Sequence, residues 1–174
     1  ELGGRRIHPP GKMPYTRPTT DIAKEGLFNM LHHSVDFEEI KSLDLFGGTG
    51  SISYELASRG VPDLTIVEKD RTMFDFIRKT AAELKISGLK AIKMDVFQFI
   101  GQCQDKFDLI FAGPPYALAT IDDLPKKVFE NRLLKQDGWF ILEHTPRNDY
   151  KDFPHYKSER HYGTTVFSIF IENR

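Results

Sequence analysis

Residues 43–50 read LDLFGGTG, an apolar run that ends in a glycine-rich turn. The run predicts a buried strand over residues 41–46, and the apolar spacing after the turn predicts a helix over residues 51–59. The glycines allow the backbone to turn tightly and to approach a ligand without an intervening Cβ. The helix that follows offers free backbone N–H groups. The stretch therefore predicts a ligand-binding turn between a strand and a helix, with a tight turn that binds nothing as the alternative.

Strand and helix patterns alternate along most of the chain, which predicts an α/β fold whose sheet is mostly parallel, with helices on both faces. A first helix is predicted to begin near Thr20 or Asp21, either of which can cap it. The further strands are predicted over residues 64–68, 91–94, 107–112 and 138–143, the last after a turn at 135–138. The further helices are predicted from residue 73 to near Ser87-Gly88, over residues 96–102 and over residues 124–134. Residues 156–162 and 166–171 have no helix between them, which predicts an antiparallel hairpin at one edge.

Length and composition favour one soluble domain. The chain has 174 residues, of which 40% are hydrophobic and 28% are charged, as is typical of a globular protein. No apolar run approaches the ~20 residues that a membrane span needs. The single cysteine, Cys103, excludes an internal disulfide, argues against a Cys/His metal cluster and fits a reducing cytoplasm. We therefore expect a cytoplasmic monomer with no metal and no membrane partner.

Residues 1–19 are rich in proline and glycine, so we interpret them as an N-terminal arm, with the domain proper over residues 20–174. The cations of the arm are Arg5, Arg6, Lys12 and Arg17. The whole chain has a formal net charge of −1, which argues against a uniformly basic nucleic-acid binder. Charge alone leaves two interpretations of the arm open, a solvated tail and a nucleic-acid contact.

Acidic residues follow two of the predicted strands. Glu68 lies 18 positions beyond Gly50, where a carboxylate can accept hydrogen bonds from both hydroxyls of a ribose. Asp95 can accept from an adenine amino group, with Val96 against the ring, or it can cap the predicted helix over residues 96–102. His144 follows the predicted fifth strand and is interpreted as a structural histidine.

Residues 111–116 read FAGPPY and place a rigid corner after another predicted strand. The two prolines fix φ and remove two N–H donors, so the carbonyls of Gly113 and Pro114 can face a cleft. Tyr116 offers a flat face to a base. Ligands of such sheets bind beyond the carboxyl ends of the strands, where the strand order switches. The corner and the glycine turn are therefore expected at one cavity, and the alternative for the corner is a rigid turn.

The order of these segments resembles the RsmD family. The residues that carry the resemblance are Arg17-Pro18-Thr19, the stretch 43–50, Ser58-Arg59-Gly60, Val67-Glu68, Asp95 and Pro114-Pro115-Tyr116. Enzymes of that family use S-adenosylmethionine to methylate the exocyclic N2 of one guanine in bacterial 16S ribosomal RNA. The resemblance covers nearly the whole chain. It implies a seven-stranded Rossmann-like class I methyltransferase fold, S-adenosylmethionine as cofactor, and 16S ribosomal RNA in an assembling small subunit as partner.

The resemblance also implies roles for particular residues. The methionine portion of the cofactor would contact Asp44, Gly48 and Gly50, the ribose Glu68, and the adenine amino group Asp95. The remaining cofactor candidates are Phe46, Lys69 and Val96. The catalytic candidates are Gly113, Pro114, Pro115 and Tyr116, with the Pro114 carbonyl toward the target amine and Tyr116 on the guanine. The arm cations would contact RNA.

Gly113 departs from the family pattern, which has Asp or Asn there to accept a hydrogen bond from the target amine. Loss of one hydrogen bond to a charged group costs ~1.5–3 kcal/mol, which is on the order of 10–100-fold in rate. The departure leaves open a non-catalytic RNA-binding or ribosome-assembly protein with the same fold. An amino methyltransferase of another nucleic-acid target also stays open. A nicotinamide oxidoreductase would leave the Pro-Pro-Tyr corner unexplained.

Overall fold

A computed structural model describes residues 19–173 of the chain. In this range helices and strands alternate in the predicted order. The helices are α1 Asp21–His32, α2 Ser51–Ser58, α3 Arg71–Glu83, α4 Val96–Gln102 and α5 Asp123–Glu130, with a 3₁₀ turn at Phe37–Glu39. The strands are β1 Lys41–Leu45, β2 Asp63–Val67, β3 Leu89–Ile92, β4 Phe107–Ala112, β5 Leu134–His144, β6 Tyr156–Tyr162 and β7 Thr165–Ile171.

These strands form a seven-stranded sheet in the order β3-β2-β1-β4-β5-β7-β6. Strands β1 to β5 pair in parallel, whereas β7 pairs antiparallel with both β5 and β6. The predicted α/β fold with its antiparallel C-terminal hairpin is confirmed. The order switches between β1 and β4, whose carboxyl ends lie side by side because Leu45 pairs with Ala112. The chain segments that follow β1 and β4 therefore leave the sheet next to each other.

Two apolar clusters cover the two faces of the sheet. Both contain side chains from the same strands, because successive residues of a strand point to opposite faces. In β4, Leu109 and Phe111 pack with α1 and α2, whereas Ile110 and Ala112 pack with α4 and α5. Residues two apart share a face of a strand, so each face of this sheet is apolar. Burial of such side chains stabilises the fold by about 1.5–3 kcal/mol each.

Helix α1 is capped by one of the two residues that the sequence predicted for this role, Thr20 and Asp21. The backbone N–H of Ala23 donates to Thr20 Oγ1 at 3.2 Å, so Thr20 is the N-cap and Asp21 is the first helical residue. The apolar face differs from the periodic pattern in one respect. Ile22, which the spacing placed on that face, is 75% exposed, and Phe28 is buried instead.

The region between α5 and β5 differs from prediction. The predicted helix over residues 124–134 ends at Glu130, because Arg132 adopts a left-handed φ of 52°. The predicted turn at residues 135–138 lies within β5 as a bulge: Leu134 pairs with Phe107, but Trp139 pairs with Leu109. The third strand is also two residues earlier than predicted. Partner strands set these boundaries, and a periodic pattern does not show them.

The described residues 19–173 contain no helix of the length and apolarity that a bilayer crossing requires. Within the same range no three His, Cys, Asp or Glu side chains are grouped to hold a metal ion.

Candidate active site

A cavity of about 660 Å³ opens at the carboxyl ends of the parallel strands. The glycine turn lines one side with Phe46, Gly47, Gly48 and Thr49, and the segment 68–71 after β2 lines the next. The corner after β4 contributes Gly113 and Pro115. Two segments more than sixty residues apart, 43–50 and 113–116, thus meet at one cavity at the switch in strand order.

The glycine turn is tight because its backbone adopts left-handed φ angles at Phe46 (61°), Gly48 (58°) and Gly50 (84°). A non-glycine residue in that region is strained, and such strain is concentrated at functional sites. A Cβ on Gly50 would lie 2.5 Å from the ring of Tyr54, and one on Gly47 would collide with Ile66. Gly50 is buried and does not line the cavity, so its contact with the cofactor stays a prediction.

Glu68 holds the glycine turn through both oxygens of its carboxylate. The backbone N–H of Gly48 donates to Oε1 and that of Asp70 donates to Oε2, each at 2.9 Å. The side chain is buried but lines the cavity. Each carboxylate oxygen keeps a further acceptor site, so Glu68 can still accept hydrogen bonds from two ligand hydroxyls. Lys69 follows it on the cavity wall.

Asp44 lies at the floor of the cavity and is 3% exposed. Ser53 Oγ donates to its Oδ2 at 2.8 Å. Burial raises the pKa of Asp44 to about 7, the Ser53 hydrogen bond opposes this rise, and the nearby Glu68 carboxylate adds to it. A buried carboxyl group with a strongly raised pKa at the floor of a cavity is a candidate functional group.

The corner after β4 continues the pairing of β1 with β4, because Gly113 N–H donates to the carbonyl of Leu45 at 3.4 Å. The Tyr116 hydroxyl donates to Glu143 Oε2 at 2.8 Å. Thr19 Oγ1 donates to the other oxygen of that carboxylate at 2.6 Å. Burial raises the pKa of Glu143, and the two hydrogen bonds lower it in part. Pro114 is buried, and neither it nor Tyr116 is part of the cavity lining.

Two residues that hydrogen-bond to candidate site residues, Glu143 and Ser53, were not predicted from the sequence. A signal for Glu143 was present, since it follows an apolar run as Glu68 does. Its contacts with Thr19 and Tyr116 join residues 124 and 27 positions away, and no local pattern indicates such contacts.

The structure does not bring every predicted residue to the cavity. Asp95 accepts from Gln98 N–H at 3.2 Å and caps α4, and Val96 is buried in the core, so their adenine contact stays a prediction. The predicted RNA contacts at Arg5, Arg6, Lys12 and Arg17 lie outside the described residues. His144 is buried between Ser168 Oγ and the Thr145 carbonyl, each 2.7 Å from a ring nitrogen, which is a structural arrangement.

A family model described as "Conserved hypothetical protein 95" matches residues 1–171. The chain belongs to this family. This is the RsmD family that the sequence motifs resemble, so the predicted membership of the chain in that family is confirmed.

Relatives of known sequence and solved structures are similar to this chain over most of its length. Ribosomal RNA small subunit methyltransferase D of Escherichia coli K12 is 29% identical over 140 residues, which cover 80% of this chain and 66% of that relative. The chain thus spans about two thirds of the relative's length. The solved structure of the Escherichia coli yhhF protein superposes with a TM-score of 0.85 at 22% identity, covering 98% and 93% of the two chains. An RNA methyltransferase of Salinibacter ruber, solved with S-adenosyl-L-homocysteine, gives 0.71 at 16% identity, covering 90% and 94%. The Rossmann-like methyltransferase fold is confirmed.

Proposed function

We propose that this protein is an S-adenosylmethionine-dependent methyltransferase that modifies the exocyclic N2 of a guanine in 16S ribosomal RNA. The observation that carries the proposal is the shared cavity, which the glycine turn with Glu68 borders on one side and Gly113 and Pro115 of the corner border on another. The Escherichia coli relative is named for methylation of small-subunit ribosomal RNA, and the Salinibacter structure holds the demethylated cofactor. We extend both properties to this chain, with an assembling small subunit in the cytoplasm as its substrate.

The cavity suits S-adenosylmethionine in size and in polar groups. Its volume of about 660 Å³ is ordinary for a cofactor site. Glu68 would accept the ribose hydroxyls, and ionised Asp44 would face the cationic part of the ligand. Asp95 would reach the adenine amino group. When bound, the cofactor supplies an electrophilic methyl group on a sulfonium.

The corner would position the target base. Methyl transfer is an in-line displacement, so the amine and the methyl carbon must be held ~3–3.5 Å apart and aligned. Pro114 and Pro115 fix the backbone there, and the carbonyl of Pro114 would accept from the amine. Tyr116, held through its hydroxyl by Glu143, would present its ring to the guanine.

Cofactor binding is tested with Glu68→Ala. We expect calorimetry to show S-adenosylmethionine binding to the wild-type protein, with nicotinamide dinucleotides inert. The variant loses the predicted ribose contact and the anchor of Gly48, so its affinity for the cofactor should decrease by ~1–3 kcal/mol. Glu83→Ala, at an exposed position on α3, is the control and should bind normally. Preference for the nicotinamide ligand would refute the methyltransferase proposal, and unchanged affinity would remove Glu68 from the site.

The substrate is tested by mass spectrometry of ribosomal RNA from a strain that lacks this protein. We expect one guanine of the 16S RNA to lose its N2 methyl group and to regain it when the gene is restored. A lost methyl group in another RNA, or in DNA, would instead identify an amino methyltransferase of a different target.

A second candidate is a non-catalytic RNA-binding or ribosome-assembly protein, which Gly113 favours because it has no side-chain acceptor for the amine. This candidate predicts that the protein binds cofactor and small-subunit RNA but forms no methylated product in a single turnover. Product in that assay excludes it.

A further inference from the structure

Glu143 is a buried acid beside the corner. It lies near the carboxyl end of β5 and is 3% exposed. In the parallel pairing of β4 with β5, Leu142 lies opposite Ala112. The next residues along the two strands are Glu143 and Gly113, so the carboxylate stands next to the first residue of the corner.

Both oxygens of this carboxylate accept hydrogen bonds from hydroxyl groups, one of which belongs to a residue that lines the cavity. Thr19, which lines the cavity, donates to Oε1 at 2.6 Å, and Tyr116 donates to Oε2 at 2.8 Å. These hydrogen bonds fix the orientation of the carboxylate. Each oxygen of an ionised carboxyl group can accept a second hydrogen bond, so Glu143 has acceptor capacity that the fold does not use.

Gly113 lies between this carboxylate and the cavity. A Cβ on residue 113 would lie 3.5 Å from Glu143 Oε1 and 3.2 Å from Phe111 Cε2, and Gly113 itself lines the cavity. No side chain at residue 113 separates the cavity from Glu143 Oε1, so an amine held against Gly113 would face that oxygen. The two prolines of the corner have no backbone N–H groups, so neither of them can donate a hydrogen bond to the carboxylate in place of the amine.

The burial of Glu143 opposes folding when the group is ionised. Its pKa is raised by burial, so the ionised form that predominates at high pH is the less favourable one in the folded protein. Strongly perturbed acids cluster at functional sites. A buried acid directly behind a residue that lines the cavity is therefore a candidate for a role in the reaction.

We propose that Glu143 is the side-chain acceptor for the target amine, in the place where residue 113 has no side chain. The inference rests on the proposed function. As the nitrogen–carbon bond forms, the carbon–sulfur bond breaks and its electron pair stays on sulfur. The nitrogen then loses its surplus proton to the Glu143 carboxylate, which releases it to solvent. The same hydrogen bond keeps the amine aligned before transfer.

The test is a double-mutant cycle of Glu143→Gln and Gly113→Asp. The substrate is small ribosomal subunits from an Escherichia coli strain that lacks its methyltransferase D. With saturating S-adenosylmethionine, we expect Glu143→Gln to lower the single-turnover rate ~10–100-fold with little change in cofactor affinity. The matched control is Glu172→Gln, a buried glutamate whose backbone pairs with Gly138 near the opposite end of β5, and it should keep the wild-type rate.

Gly113→Asp should restore the rate of Glu143→Gln at least tenfold, because it supplies a carboxylate to the same space. The wild-type rate should increase with pH, and Glu143→Gln should remove one of the ionisations behind this increase while that of Asp44 remains. An unchanged rate in Glu143→Gln, or a loss that Gly113→Asp does not rescue, overturns the inference and leaves the proposed function intact. Absence of turnover in the wild-type protein overturns both.

Discussion

Asp44 is a carboxylate whose charge changes in the neutral pH range, because burial raises its pKa to about 7. S-adenosylmethionine carries a sulfonium charge that S-adenosylhomocysteine lacks, whereas the amino acid groups of the two ligands are the same. As pH increases from 5.5 to 8, ionisation of Asp44 should therefore increase the ratio of their affinities about tenfold. Calorimetry at the two pH values measures this ratio. Asp44→Asn should make it independent of pH, and a pH-dependent ratio in that variant would contradict the assignment.

The same group affects the stability of the free protein. Its pKa is higher in the folded chain than in an unfolded one, so its contribution to stability is complete below pH about 4 and is lost as pH rises through about 7. Asp44→Asn should therefore stabilise the ligand-free protein at pH 8, by about 1–3 kcal/mol, and much less at pH 5. Urea unfolding at both pH values checks this, and equal effects at the two would contradict it.

At the scale of elements, α1 packs across the sheet edge onto β6 through a glycine. A Cβ on Gly26 would overlap the ring of Tyr162. In a helix interior alanine is normally preferred to glycine by roughly 0.5–1 kcal/mol, but here overlap should reverse the sign. We expect Gly26→Ala to destabilise the protein by ~1–3 kcal/mol, as measured by urea unfolding.

The matched control for this prediction is Gly101→Ala in the last turn of α4, where a Cβ meets nothing within 4 Å. That substitution should be neutral or stabilising. Removal of the ring by Tyr162→Ala should abolish the additional cost of Gly26→Ala. If Gly26→Ala were as stable as Gly101→Ala, the described contact between α1 and β6 would be wrong.

At the scale of the whole molecule, the net charge of −1 does not favour binding to RNA. We propose that the basic N-terminal arm makes the contacts with RNA phosphates. Arg5→Gln with Arg6→Gln should weaken binding to small-subunit RNA and reduce the slope of log affinity against log salt by about 0.7–0.9 for each lost phosphate contact. The control pair Lys79→Gln and Lys127→Gln removes two exposed cations from α3 and α5. If both pairs change the slope equally, the arm is only a solvated tail.

The sequence by itself determined the order of the elements and the position of the two site motifs. Apolar runs marked the strands. The glycines, which permit tight turns, and the prolines, which fix φ, marked the ends of the strands, since these are local properties of neighbouring residues. The acid after β2 was found in the same way. The boundary between α5 and β5 was not found, because the bulge in β5 depends on its pairing with β4.

Only the tertiary structure decided how the site is built. The carboxylate of Glu143 joins Thr19 and Tyr116, and the raised pKa of Asp44 comes from burial beneath the glycine turn. Both depend on which distant segments the strand order brings together at the switch between β1 and β4. A residue's sequence neighbours do not fix its solvation or its partners across the sheet, so these properties exist only in the folded chain.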